Sequence, residues 1–163
     1  MIFVLDASTL VAFYAENELD EPELLHSLKS DGHQLIIPRA VFEEIEKGRK
    51  PTYLILSKAV RDNVVTVNDE ISDEETDQFG KRHPRLHVGE LQVMLLGLKL
   101  KANGETQFYC LIDEEPGKTI AERNGIPVKG TRGLINLLNK IGIIEKTRME
   151  TLLYRLDHCN FRS

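Results

Sequence analysis

The sequence predicts a three-layer α/β/α sandwich around a central parallel sheet, and three observations carry that prediction. Short apolar runs alternate with helical patterns, the runs lack the every-second-residue polarity of a half-exposed strand, and two of them end on an acid. The chain has 163 residues, of which 41% are hydrophobic, enough for one domain spanning residues 1–163 to bury a substantial core.

Ile2 to Asp6 is an apolar run closed by an acid, followed at once by Leu10, Val11, Phe13 and Tyr14 at helical spacing. Pro22 opens a second helical pattern through Leu24, Leu25 and Leu28, closed by Gly32, and Leu35 to Ile37 reads as a buried strand ended by Pro38. Arg39 to Lys47 forms a helix stopped by Gly48, Tyr53 to Arg61 another, and Val64 to Val67 a short β-branched strand. Ser72 and Glu75 have the S-x-x-E spacing of a capping box for a polar helix running toward Lys81. Val88 to Lys101 is apolar around much of its circumference and predicts a buried central helix; after Gly104, the strand Phe108 to Ile112 ends on Asp113. Thr119 to Arg123 makes a short helix closed by Gly125, Ile126 to Val128 a last strand, and Leu134 to Lys140 and Arg148 to Leu156 two closing helices. There is no internal repeat, low-complexity segment or linker.

No apolar stretch reaches the roughly 20 residues of a membrane helix, and an acid arrives at Asp6 with no basic segment before it, so a cytoplasmic protein is expected. Of the two cysteines, Cys110 lies in an apolar run and reads as core; neither it nor Cys159 has zinc-ligand spacing. A net charge of −5 excludes the broad cationic coat of a general nucleic-acid binder but leaves room for a nuclease whose metal ions supply positive charge locally.

Ligands of parallel α/β sheets bind at the carboxyl ends of strands, where Asp6 and Asp113 are the first charged residues. Singly, such acids also begin loops and cap helices, and Asp6 stands where it could cap the following helix. On the helix Arg39 to Lys47, Val41, Phe42 and Ile45 define an apolar face; Glu44 lies roughly 105° from its centre and Glu43 roughly 155°. Glu44 therefore borders the core and is preferred to Glu43. Glu90 stands in the first turn of a helix that leaves little polar surface, so burial there needs compensation beyond the helix dipole. Converging carboxylates repel one another, and Mg²⁺ or Mn²⁺ would relieve them. Such ions polarise a phosphoryl oxygen, orient a water and stabilise the leaving oxygen of an in-line displacement. No Ser/His/Asp order, P-loop or HExxH competes with this acidic set.

The segments FVLDAS, IIPRAVFEEI, HVGELQVMLLGLKL and CLIDEEPGKTIAERNGIPVKGTRGLI resemble, in order and over nearly the whole chain, the successive motifs of PIN-domain nucleases. The flavour is that of the small prokaryotic toxin-type branch, with a GE third motif at Gly89-Glu90 and a tail matching at Asp113-Glu114, Lys118, Ala121 and Gly130-Thr131-x-Gly133. The resemblance implies a PIN-like fold in which Asp6, Glu44, Glu90 and Asp113 are catalytic metal ligands for Mg²⁺ or Mn²⁺, with Ser8 supporting the first motif. Glu114 stands where the branch has a second Asp and is ranked an auxiliary metal ligand. Metal-dependent endonucleolytic cleavage of single-stranded RNA is implied as well, with a homodimer and, for a toxin, a neutralising antitoxin as partners.

Lys81, Arg82, His83, Arg85 and His87 form a basic stretch before Glu90, which either seats an RNA backbone or is a solvated helix end balancing the acids Asp69 to Asp77. Thr131, after Gly130, either holds a phosphate or caps a helix. His26, His33 and His158 lack ligand spacing. Two alternatives stand beside the ribonuclease: a non-catalytic PIN-like module binding RNA or protein, and a phosphatase-type domain, against which the D-x-D pair is missing because Ser8 follows Asp6 by two.

Overall fold

The computed structural model describes residues 1–158. Among these residues, five strands form one all-parallel sheet in the order β3-β2-β1-β4-β5, and nine helices cover its faces to complete the three-layer α/β/α sandwich. The strands are β1 (Ile2–Leu5), β2 (Gln34–Pro38), β3 (Thr66–Asn68), β4 (Phe108–Leu111) and β5 (Val128–Lys129). The chain builds outward from β1 through β2 to β3, then returns to lay β4 on the other side of β1. Val4 thus lies in register with Ile36 on one side and Cys110 on the other. The strand order reverses between β1 and β4, and the crevice beyond their carboxyl ends is where parallel sheets bind ligands. Both faces are covered, so Phe3, Val4, Leu5, Cys110 and Leu111 are all buried, which explains the absence of polar alternation in these runs.

Helix α1 (Ala7–Tyr14) leaves β1 directly, and α2 (Pro22–Ser30) leads to β2. Helices α3 (Arg39–Gly48) and α4 (Lys50–Arg61) follow β2, and α5 (Asp73–Arg82) and α6 (Val88–Ala102) follow β3. After β4 come α7 (Glu115–Arg123), then α8 (Thr131–Lys140) and α9 (Lys146–Asp157) beyond β5. The capping box at α5 is formed: Ser72 Oγ accepts the Glu75 amide at 3.1 Å, and a Glu75 carboxylate oxygen accepts the Ser72 amide at 2.9 Å.

Helix α6 is the central buried helix expected, packed against β1, β2 and β4 as well as α3 and α5. It approaches β4 closely because residue 97 is glycine: a Cβ there would stand 2.7 Å from Cys110 Sγ. Gln92 is a polar side chain buried in the apolar middle of this helix, and both ends of its amide are engaged. Its Oε1 accepts the Ala40 amide at 3.0 Å and its Nε2 donates to Thr76 Oγ1 at 3.1 Å. Ala40 is in the first turn of α3, whose amides lack intrahelical partners, so Gln92 caps α3 and fixes it against α6.

Several boundaries move. Helices α4 and α7 begin three and four residues before the predicted Tyr53 and Thr119, because Pro51 and Pro116 sit in their first turns, where proline starts a helix rather than breaking it. Strands β3 and β5 lie slightly later than predicted: Val64 and Val65 close α4, and Ile126 packs in the core before β5 pairs with β4. Cys159 lies outside the described residues.

Candidate active site

Each candidate acid is delivered by a different element to the carboxyl edge of the sheet. Asp6 follows β1 and is 9% exposed. It occupies the position before α1 without capping the helix through its side chain. Glu44 comes from α3, which Gln92 holds in place, and Glu90 from the first turn of α6, where it is 3% exposed. Asp6 and Glu44 converge across Gly89: a Cβ there would lie 3.4 Å from Asp6 Oδ1 and 3.6 Å from Glu44 Oε1. The glycine of the GE pair therefore keeps open the space between two carboxylates.

Asp6, Ser8, Glu44, His87, Glu90 and Glu114 all line one cavity of about 440 Å³. Glu44 is itself exposed rather than lodged at a core boundary, yet it lines the cavity. Glu43 does not line it. Glu114, ranked auxiliary from the sequence, is in the cavity wall. His87 is there too, although the sequence grouped it with a basic stretch. Its Nε2 is 3.8 Å from Glu90 Oε1 and 4.0 Å from Glu114 Oε2.

Asp113 does not line this cavity; it lines another, with Lys118 and Gly130, although its charge is near enough to act on Asp6. It is held from behind by Thr131, whose amide donates to Oδ1 at 2.6 Å and whose hydroxyl donates to Oδ2 at 2.8 Å. A carboxylate oxygen has two acceptor directions, and Thr131 uses one on each. Thr131 Oγ1 is also 3.2 Å from Thr9 Oγ1, which ties the start of α8 to α1 behind the acids. Thr131 is 0% exposed and gives both its amide and its hydroxyl to Asp113, so in this structure it positions an acid. The isosteric Thr131→Val leaves one Asp113 oxygen without its hydroxyl donor and should weaken Mn²⁺ binding about 10-fold to 100-fold in calorimetric titration, with about 1 kcal/mol lost in urea denaturation. Unchanged affinity would separate Asp113 from the ion.

The electrostatics are unfavourable as they stand. The Asp6 pKa is pushed up to about 8, first by burial; the Ala7 amide partly opposes this, while the charges of Glu90, Glu44 and Asp113 add to it. Burial also raises Glu90, offset by the His87 amide that donates to its Oε1 at 3.3 Å and augmented by Glu114 and Glu44. The second oxygen, Glu90 Oε2, is buried with no hydrogen-bond partner among the described residues. Gly117 makes room for it: a Cβ there would stand 2.6 Å from Oε2 and 2.8 Å from Ile112 Cγ2.

These residues fit a divalent cation. An orphaned buried carboxylate oxygen and a carboxyl group held near neutrality cost free energy that a hard, oxygen-seeking ion would recover. Gly117→Ala would force Glu90 or α7 to shift, and we expect a loss of about 1 to 3 kcal/mol in stability together with weakened metal binding. Calorimetric titration with Mn²⁺ checks it, and wild-type affinity in that variant would detach Glu90 from the ion.

A parallel α/β/α sandwich with carboxylates gathered at its switch point carries a donor set that suits divalent metal. The family model described as a PIN domain matches residues 2–163, and the chain belongs to the PIN-domain family, whose members usually act as metal-dependent nucleases. No curated protein matches the chain at a significant level. No helix among the described residues is long and apolar enough to cross a membrane.

Proposed function

We propose that the chain is a Mg²⁺- or Mn²⁺-dependent endoribonuclease acting on single-stranded RNA, with Asp6, Glu44, Glu90 and Asp113 as metal-holding catalytic residues and Glu114 beside them. The observation that carries this reading is the buried, unpartnered Glu90 Oε2 in a cavity shared with Asp6, whose own carboxyl group burial and like charge drive toward neutrality. When bound, the metal supplies Lewis acidity to the phosphoryl oxygen and to the attacking water. The chain's own residues set the frame for that chemistry. Asp6 and Glu44 face each other across Gly89, Thr131 holds Asp113 in one rotamer, and the His87 amide fixes Glu90 at the start of α6.

The basic stretch separates into two parts. His87 lines the acidic cavity, whereas Arg82, His83 and Arg85 line a neighbouring cavity of about 690 Å³, joined there by Arg123 from α7. Arg85 and Glu115 in this second cavity lie within two residues of His87 and Glu114 in the first, so the same two chain segments line both. A polyanion bound over the acids could reach these guanidinium groups, which supports a substrate-binding role for Arg82 and Arg85; Lys81 lines neither cavity. Arg82→Ala with Arg85→Ala should weaken RNA binding in chelator and reduce the salt dependence by roughly 0.7 in log–log slope for each phosphate no longer neutralised. An unchanged slope would return the stretch to a solvated helix end.

The direct test is incubation of end-labelled single-stranded RNA with the purified chain in Mn²⁺, Mg²⁺ or chelator. Internal cleavage that chelator abolishes is expected; RNA binding without cleavage in either metal would favour the non-catalytic module. In the setting the resemblance implies, a homodimeric toxin, expression should arrest growth and Glu90→Gln should relieve the arrest.

A further inference from the structure

Within this site, and resting on the metal-dependent reading above, we propose that His87 is a nitrogen ligand, completing with Glu90 and Glu114 a mixed nitrogen–oxygen position that favours transition-metal ions over Mg²⁺. One donor atom from each of the three residues lies within 4.8 Å of the others. Donors on a single ion with bonds near 2.1 Å stand about 3 to 4.2 Å apart, so the trio needs only a slight contraction to close on one centre. The distances from His87 Nε2 to Glu90 and Glu114, 3.8 and 4.0 Å, are those of loose ion pairs and too long for hydrogen bonds, so the imidazole stands between the two carboxylates without being bonded to either.

A second, independent observation points to a ligand. Glu90 is 3% exposed, and its Oε2 has no hydrogen-bond partner among the described residues. The trio is also pre-assembled by the backbone. The His87 amide donates to Glu90 Oε1, which locks the residue before α6 to the acid in its first turn. Glu114 comes from the opposite wall, immediately before α7. Its extra methylene relative to aspartate gives it the reach to this position, and the glutamate at 114 and the histidine at 87 serve one purpose.

The chemistry sets the selectivity. Imidazole binds Mn²⁺, Co²⁺ and Ni²⁺ in rising preference along the divalent series and suits Zn²⁺ as well, whereas Mg²⁺ takes oxygen donors and keeps its waters. A site of carboxylates alone would discriminate far less. His87 is 68% exposed and its tie to Glu90 is through the backbone, so His87→Gln should fold as the wild type does and keep the helix start intact.

The test is calorimetric titration of the chelator-treated full chain with Mg²⁺ and with Co²⁺, for the wild type and His87→Gln, together with proton NMR of the Co²⁺-loaded proteins. We expect Co²⁺ affinity to fall at least about 10-fold in His87→Gln while Mg²⁺ affinity stays within about twofold. Hyperfine-shifted ring C–H signals of one histidine should be present in the wild type and absent from the variant. Equal affinities for Co²⁺ in the two proteins, or no shifted histidine signal in the wild type, overturns His87 as a ligand while Mg²⁺ binding keeps the carboxylate site standing. Failure of the wild type to bind either ion overturns both.

Discussion

In chelator at pH 9, Asp6→Asn should unfold about 10 to 20 °C above the wild-type chain, and the advantage should vanish near pH 4. The sign follows from where the proton sits. The folded pKa of Asp6 is about 8, well above the roughly 3.9 of an unfolded aspartate. Below pH 4 both states are protonated and the residue is neutral toward folding. Between about 4 and 8 the unfolded chain releases a proton that the folded chain retains, so wild-type stability falls as pH rises, and the penalty is complete above pH 8. Its size is on the order of 5 kcal/mol, which for a chain of this length is a shift of about 10 to 20 °C. Asparagine carries no charge to bury and escapes the penalty. The same substitution removes a metal donor, so saturating Mn²⁺ should raise the wild-type midpoint and leave the variant's unchanged. A lower midpoint for Asp6→Asn at pH 9 would mean that the carboxylate is stabilising, and the cavity would not be a strained metal site.

Glu90→Gln should reduce Mn²⁺-dependent RNA cleavage by at least about 100-fold, beyond what the loss of an outer partner usually costs, while Glu43→Gln stays within about twofold of the wild type. Glu90 carries the orphaned oxygen, and an amide offers one carbonyl where the carboxylate offers two charged acceptors. The amide can still accept the His87 N–H, so the helix start survives. Glu43 lies one residue from Glu44 on α3 but outside the cavity. Single-turnover cleavage at saturating RNA separates the two, and equal losses would show that α3 contributes general negative charge rather than one placed donor.

Much of this arrangement is legible in the sequence because it depends on local pattern. Apolar runs ending on Asp6 and Asp113 predict two acids on one sheet edge, and helical angles on α3 choose Glu44 over Glu43, the residue that does line the cavity. The apolar flank of Glu90 signals its burial. What is not legible depends on contacts between distant segments. Thr131 follows a glycine before a helix, the signature of a phosphate or a cap, and only the β5 to β4 pairing turns its donors toward Asp113. Gly117 sits in a first helical turn among ordinary loop residues, and nothing local announces that Glu90 Oε2 will occupy the space of its missing Cβ. His87 is masked by its neighbours: four cationic residues nearby read as a basic stretch, while the turn into α6 brings its imidazole to the acids and leaves Arg82 and Arg85 beside Arg123. Gln92 looks like a flaw in an apolar helix and is the tie that places Glu44.

The most direct test of the acid cavity as a metal site is calorimetric titration of Mn²⁺ into the chelator-treated chain at pH 7, in two buffers of different ionisation enthalpy. Asp6 is largely protonated at that pH, so binding should release about one proton per ion, read as a buffer-dependent heat that Asp6→Asn abolishes. Binding with no proton release, or no binding at all, would contradict it.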